Sequence, residues 1–456
     1  MKKTLFLFLL ILGFLTIKLV NNGIRLSDTN TYFDIAYQMS HGKILYKDLF
    51  FSNFPFFSYV SYVYYLIGNK NIDFFYFTSS IEIALTTFFI YLITYRKTKD
   101  YVISIMSSIL YLFSFMVLST SDHQTGVFTA CLFAVLSFLF LRERKFIISG
   151  IFIALSISTK AYFLPIFLSI FTFLAIKKEW GNLFKLCLAA ATMGLITLLP
   201  SLIQAPKELI SDIFGFSLTR PVGLVKTDIL WFFITKDFFL FILLIFNILN
   251  IRKNIFFGLV SIFSIIFFFG YGDIYYLYLN FLTPFLSLSF YELNSLLKNK
   301  LNLQRLVIPT IILVFISLNL FTYLSSYKNL GKIENIDIIT KTIKTQNPKF
   351  LYGIIDITPA LIVITDIPAL ENVNGAHDYF FIRKIYDKKF LTDKAVTSKT
   401  IVVTHGADYP QYNIKQDILD DNILVKDTIY KNCINILSVP VLSEGDANRI
   451  NLFKCY

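Results

Sequence analysis

The chain has 456 residues, of which 55% are hydrophobic and only 16% charged, with a formal net charge of +12. Soluble domains carry about 25% charged residues, so this composition excludes a protein that is soluble throughout. A nucleic-acid partner is excluded as well. Basic residues fall in short clusters between apolar blocks, and beyond Tyr323 acidic residues nearly cancel them, so no basic stripe remains to follow a phosphate backbone.

Met1-Lys2-Lys3 and the apolar run Thr4–Val20 have the make-up of a signal peptide. No small-x-small cleavage site precedes Asn21, so the segment reads as an uncleaved first span. A polar stretch, 21–55, follows. The aromatic segment Phe56–Ile67 is too short to cross and is expected in the membrane interface. Further spans are expected at Phe74–Tyr95, Tyr101–Leu118, Thr125–Leu141, Phe146–Ser158 and Ala161–Ile176. The remaining ones are Leu183–Ile203, Ile229–Leu249, Ile255–Gly270, Ile274–Leu297 and Leu306–Tyr323. With the first, these make about eleven transmembrane helices, of which the fifth and sixth are short and are expected as a helical hairpin.

Basic clusters orient them. Lys2-Lys3, Arg96-Lys97 with Lys99, Arg142 with Arg144-Lys145, Lys177-Lys178, Arg252-Lys253, and Lys298 with Lys300 and Arg305 all fall at alternate helix ends. That places them on one side, the cytoplasm, with the N-terminus. The first loop, the turns at 119–124 and around Lys160, the loop 204–228 and the whole tail then face outward. The expected protein is a multi-pass plasma-membrane protein with a membrane domain over 1–325, including the first outer loop 21–55.

From Ser326 onward the composition is that of a soluble domain, 326–456. Ile336–Thr345 has helical spacing. Phe350–Ile355, Leu361–Thr365, Ile401–Thr404 and Ile434–Val439 read as short strands, so a small extracytoplasmic α/β domain is expected. Cys433 and Cys455 could form a disulfide there in an oxidising compartment. Cys131 and Cys187, inside apolar blocks, read as small core residues.

The first outer loop carries most of the chemical information. Tyr32, Ile35, Ala36 and Met39 recur at helical spacing, giving a surface helix with Asp28 at its start and Gly42 just past its end. Asp28 reads equally as an N-cap and as a carboxylate at the mouth of a membrane cavity, where it could take a proton from a hydroxyl. Asp28, Tyr32, Ala36, Gly42, Tyr46, Asp48 and Pro55 follow the pattern D-x3-Y-x3-A-x5-G-x3-Y-x-D-x6-P. Ser158-Thr159-Lys160 stands at an outer helix end, and Asp273-x-Tyr275-Tyr276-x-Tyr278 leads into a late span.

In these features the chain resembles the GT-C superfamily of polytopic glycosyltransferases, which includes the protein mannosyltransferases and the aminoarabinose transferases of lipid A. The resemblance extends in arrangement over most of the chain and is specific in motif over about 28–55. It implies transfer of a sugar from a polyprenyl-phosphate donor to a hydroxyl of a glycan, lipid or protein acceptor, with Asp28 as general base. Many such enzymes have a second acid directly after the first; here that position is Thr29.

The departing lipid phosphate needs a cation in a low-dielectric site. Lys160 interrupts an apolar stretch and is the first choice, although a snorkelling lysine would look the same in sequence. Arg220 and Lys226, in the long outer loop, come next. Tyr32, Tyr46, Asp48, Asp122, His123, Asp273 and Tyr276 complete the substrate-site candidates. Asp122-His123 could join Asp28 and Asp48 around a metal, but a lone Asp-His pair is more often a polar turn, so neither metal nor cofactor is expected. Glu82 lies mid-span among hydroxyl side chains, and His377 and His405 read as loop histidines. A flippase or other transporter would spread its charges along several spans. An O-antigen-type polymerase would carry its largest loop late among the spans.

The topology is testable directly. Reporters fused after Lys99, Lys145, Lys178, Lys253 or Lys300 should report cytoplasm, and one fused after Asn329 the exterior. A cytoplasmic signal after Asn329 would overturn both the topology and the site.

Overall fold

The computed structural model describes residues 2–216, 223–272, 274–297, 304–377, 380–381, 384–406, 408–409, 414–415, 423–441 and 449–456. In chain order the helices begin with α1 (Lys2–Val20), α2 (Thr29–Ser40), α3 (Phe56–Ile67), α4 (Ile72–Thr98), α5 (Tyr101–Leu112) and α6 (Phe115–Thr120). They continue with α7 (Val127–Arg142), α8 (Phe146–Thr159), α9 (Leu164–Ile176), α10 (Trp180–Gln204) and α11 (Pro206–Ile210). Next come α12 (Lys226–Lys236), α13 (Phe238–Leu249), α14 (Ile255–Gly270), α15 (Thr283–Leu297), α16 (Gln304–Thr322), α17 (Ile336–Gln346) and α18 (Thr358–Thr365). The chain divides into two compact units. One comprises Met1–Val20, Ser52–Phe57 and Phe77–Tyr327, the other Asn21–Phe51, Ser58–Tyr76 and Lys328–Tyr456.

The first unit is helical. Among the described residues, Ile72–Thr98, Trp180–Gln204 and Pro309–Tyr327 are each long and apolar enough to cross a bilayer, and many of the remaining apolar helices are shorter. Polar side chains join neighbouring helices, as expected where hydrocarbon supplies no hydrogen bonds. Ser156 on α8 donates to the Ala130 carbonyl of α7 at 2.8 Å, and Ser137 on α7 donates to the Ser149 carbonyl of α8 at 2.9 Å. Gly150 lets α8 approach the Leu186 carbonyl of α10 so closely that a Cβ would collide with it.

Two expected spans are broken. Tyr101–Leu118 divides into α5 and α6, and Ile229–Leu249 divides into α12 and α13, bent by 106°. Asp237 supports both breaks, and Ser114 adds a local cap to α6 by accepting from the Val117 amide at 3.2 Å. Asp237, fully buried at the bend, accepts from the Phe115 and Met116 amides at 2.7 and 2.8 Å, which are the first amides of α6. Asn319 completes the knot, donating to Asp237 at 3.3 Å and to the Phe113 carbonyl at 3.1 Å. The span expected from Ile274 likewise opens as a 3-10 turn, Tyr276–Phe281, before α15.

Three of the basic clusters meet at one end of this unit. Arg96 pairs with Glu143, which also binds Lys145 at 2.8 Å, and Arg144 reaches Glu179 at 3.3 Å. Such exposed pairs contribute little stability, but they bring together the ends of α4, α7 and α9. At the opposite end, the Lys18 ammonium donates to the Leu118 carbonyl at 2.6 Å and to Asp122 at 3.0 Å. It lies 3.7 Å from the Tyr323 ring centroid, and the Tyr323 hydroxyl donates to Asp122 at 2.8 Å.

The second unit joins the first outer loop to the C-terminal segment. A four-stranded sheet has the order β1 (Phe350–Gly353), β2 (Thr400–Gly406), β6 (Arg449–Cys455), β5 (Ile434–Pro440). β1 and β2 are parallel and the other pairs antiparallel; β3 (Asp408–Tyr409) and β4 (Ile414–Lys415) form a separate short hairpin. A disulfide links Cys433 to Cys455, joining the start of β5 to the end of β6. Leu361–Thr365, expected as a strand, lies in α18. Pro359 occupies its first turn and buried residues cover most of it, a pattern that short apolar runs leave ambiguous. β6 is absent from the expected strands. The loop enters this unit through hydrogen bonds from Leu26 to the Gly331 carbonyl and from Ile333 to the Ile24 carbonyl, both at 2.9 Å.

The Lys18–Asp122 pair, with side chains only 1% and 7% exposed, generates a stability prediction. Lys18→Met alone should cost about 3–5 kcal/mol by leaving a buried carboxylate unpaired. The double variant Lys18→Met/Asp122→Asn should recover most of that loss in thermal unfolding. Additive losses in the two variants would show that the pair is not coupled.

Candidate functional site

The N-terminus of α2 is capped by Ser27, whose hydroxyl accepts from the Thr29 amide at 3.1 Å. Asp28 sits at the cap position with helical dihedrals and no side-chain capping bond. The capping role open to Asp28 in the sequence therefore falls to its neighbour, and its exposed carboxylate is left out of the cap. The backbone around it is held firmly. The Ser27 amide donates to the Asp356 carbonyl at 3.1 Å. Asn30 donates to the carbonyls of Arg25 and Asp356 and accepts from the Tyr76 hydroxyl at 2.9 Å. The Arg25 guanidinium binds the Leu330 and Lys328 carbonyls at 2.8 and 2.6 Å. Buried, satisfied networks of this kind rigidify the element they surround.

Other members of the motif serve this scaffold. Tyr32 and Tyr46 are 5% and 3% exposed and pack against Phe51, with ring centroids 6.1 and 5.9 Å apart. Gly42 and Tyr46 take positive φ values of 82° and 69°, which turn the chain back after α2. Asp48 accepts from the Ile44 amide at 2.8 Å and closes that turn. The substrate-site roles considered for Tyr32, Tyr46 and Asp48 thus compete with plain structural ones.

Asp34, six residues after Asp28, has no role in the sequence reading. It is fully buried, accepting from the Gln38 amide at 3.2 Å and from the Asn374 amide. Burial pushes its carboxyl up to about 8, against the lowering effect of these two donors. Asp34 lies four residues after the buried Asn30, on the same face of α2, but sequence alone does not show what covers that face.

In the helical unit, Lys160 closes α8, its amide bonded to the Ser156 carbonyl at 2.9 Å. It is only 9% exposed, with its ammonium 5.9 Å from the Phe57 ring centroid, so it does not snorkel into water. Tyr162, two residues on, stacks on Tyr278 with centroids 4.4 Å apart. Tyr276 is half-buried against Phe232. Asp122 is turned inward to Lys18 and Tyr323, so the Asp122-His123 turn is held by an ion pair; the His123 amide bonds the Thr120 carbonyl. The Lys226 ammonium donates to the Phe269 carbonyl. Glu82 accepts from Gln124 at 3.1 Å and from the Thr129 hydroxyl. Arg220 and Asp273 lie outside the described residues.

A membrane unit of this build, combined with a small α/β unit that holds an Asp-led first loop, has the GT-C-like fold. The structure is similar to ArnT from Cupriavidus metallidurans in the apo state, with a TM-score of 0.68 and 14% identity over 99% of this chain and 98% of that one. It is also similar to ArnT from the same organism bound to undecaprenyl phosphate, with a TM-score of 0.63 and 12% identity over 99% and 97%. No family model matches the chain, and no curated protein matches it significantly. The likeness is one of fold.

Asp34 generates a pH prediction. An unfolded aspartate titrates near ~4 and the folded one at about 8, so between these values the folded state binds more protons. Stability should therefore fall as pH rises through that window and level off above it. Asp34→Asn should flatten the dependence in thermal unfolding between about pH 5 and 8. An unchanged slope would remove Asp34 as its source.

Proposed function

We propose that the chain is a membrane glycosyltransferase that moves a sugar from a polyprenyl-phosphate donor to an acceptor hydroxyl on the extracytoplasmic face. The supporting observation is the GT-C-like fold over nearly the whole chain, shared with a protein crystallised with undecaprenyl phosphate. Asp28 adds to it, as an exposed carboxylate outside its helix cap on a rigid loop. The Cys433–Cys455 disulfide and the union of the first loop with the tail in one unit support an outward, oxidising location for both.

In this reading Asp28 takes the proton of the acceptor hydroxyl. The acceptor oxygen attacks the anomeric carbon in line and forms the new glycosidic bond. The bond from that carbon to the phosphate oxygen breaks, and its electron pair leaves with the lipid phosphate, so the anomeric centre inverts. Lys160 supplies positive charge for the phosphate. A buried ammonium is effective there because a low dielectric magnifies its interaction with the developing charge. Arg220 is the next cation to consider. Thr29 stands where a second acid would be, so Asp28 has no adjacent carboxylate with which to hold a metal.

A transporter reading has less behind it. The buried carboxylates Glu82, Asp122 and Asp237 are each engaged in hydrogen bonds that fix helix ends or helix pairs, which is structural use.

The test incubates purified protein with a panel of polyprenyl-phosphate sugars and measures release of free lipid phosphate. Asp28→Asn should lower turnover by about two orders of magnitude or more without changing thermal stability, because the side chain is not part of the cap. Lys160→Gln should weaken donor binding and turnover, while Lys160→Arg retains part of both. A chelator should leave the rate unchanged. No lipid phosphate released from any donor would reject the enzyme, and wild-type rates in Asp28→Asn would reject the base.

A further inference from the structure

A cleft of about 280 Å³ lies within the unit that carries the first loop and the C-terminal segment. Phe33, Tyr37 and His41 line it from α2 and its C-terminal turn, Tyr65 from α3, Lys70 from the turn after α3, and Asp366 from the end of α18. Neither the base nor the phosphate cation proposed above lies among these residues.

Its surfaces are of two kinds. The Tyr37 and His41 rings lie 4.3 Å apart, and Tyr65 stands nearly perpendicular to Tyr37 at 6.5 Å and 5.5 Å from Phe33. Around these apolar faces are the Asp366 carboxylate, the Lys70 ammonium and two phenol hydroxyls. The Tyr37 hydroxyl donates to Asp366. Tyr65 is 1% exposed, with the Ser40 hydroxyl as its polar neighbour, and Ser40 itself donates to the Tyr37 carbonyl at 2.6 Å. A ligand hydroxyl in the cleft would offer the buried phenol a further partner.

Lys70, in the turn after α3, and Asp366, the C-cap of α18, both adopt left-handed conformations, with φ of 64° and 59°, the common way for a helix to end, and this fixes where the two chains leave their helices beside the cleft.

One carboxylate and one ammonium cancel, so the cleft has no preference for a phosphate or another strongly charged group. Flat ring faces beside hydrogen-bonding groups suit a molecule with an apolar C–H face and a rim of hydroxyls. The volume lies just below the range of about 300–1,000 Å³ for drug-sized ligands, which fits one or two sugar rings. We propose that the cleft is a saccharide-binding subsite, and that it holds part of a glycan acceptor. The second clause rests on the transferase reading; the first does not.

The experiment is saturation-transfer NMR on the full chain in lipid nanodiscs. The probes are glucose, galactose, N-acetylglucosamine and the α-1,4 and β-1,4 dimers of each. At least one sugar should receive transfer at its ring C–H protons, with a dissociation constant of about millimolar. Tyr37→Ala should weaken that binding about tenfold or more by removing a ring face, and Asp366→Asn by a similar factor by removing a charged acceptor. Asn tolerates the left-handed backbone, so this variant should fold. Tyr65→Phe, which keeps the ring and removes only the hydroxyl, should weaken binding several-fold. Absence of transfer to every sugar would overturn the proposal, as would equal transfer in wild type, Tyr37→Ala and Asp366→Asn. Displacement of the sugar by inorganic phosphate at lower concentration would overturn the neutral-saccharide assignment. Sugar binding without any release of lipid phosphate would overturn the transferase reading and leave the subsite standing. Release without sugar binding would do the reverse.

Discussion

Inside a membrane-embedded bundle a helix end is expensive, because its first amides have no intrahelical acceptor and no water within reach. Asp237 meets that constraint here. Its carboxylate binds the opening amides of α6 from a different part of the chain, and the dipole of α6 favours the negative charge it receives. Each such charged hydrogen bond contributes about 1.5–3 kcal/mol. The arrangement permits two helix breaks at once, one after α5 and one between α12 and α13. Lys18 and Asp122 apply the same rule at another point, where an ammonium satisfies the Leu118 carbonyl near the end of α6. At these two points irregular backbone is found where a buried ionisable side chain supports it.

These long-range supports explain what the sequence could convey. Apolar blocks and basic clusters follow local rules of length and charge, and α7, α8 and α14 lie close to where those rules place them. The broken spans were not legible. Nothing near Phe115 reveals a carboxylate more than a hundred positions away, and Thr235-Lys236-Asp237 interrupts its apolar run without showing what the acid binds. The same holds for α18, whose buried sides can be told from a strand only by what packs on them, and for β6, whose partners in the sheet come from β2 and β5.

The first loop was legible as a pattern but not as a division of labour. Its motif residues look alike in sequence, a set of acids and aromatics at fixed spacing. In the folded unit Tyr32 and Tyr46 are core, Asp48 closes a turn, Asp34 is sealed under Asn374, and Asp28 remains exposed. Burial separates two carboxylates six positions apart on one helix into opposite environments. A scaffold that uses most of its polar groups to hold one of them in place is the usual construction of a preorganised site.

The hydrogen bonds from Arg25 and Asn30 to Leu330 and Asp356 span more than three hundred positions of the chain. A ribosome delivers the loop first and its partners last, so the loop carrying Asp28 emerges long before the carbonyls that hold it exist. Contacts of such sequence separation form late and slowly. The segment around Asp28 thus acquires its final shape only when the last third of the polypeptide has arrived and its sheet has closed. An interrupted chain could hold every transmembrane helix and still present an unorganised loop. Completion of synthesis becomes a condition for competence, enforced by topology rather than by any regulator.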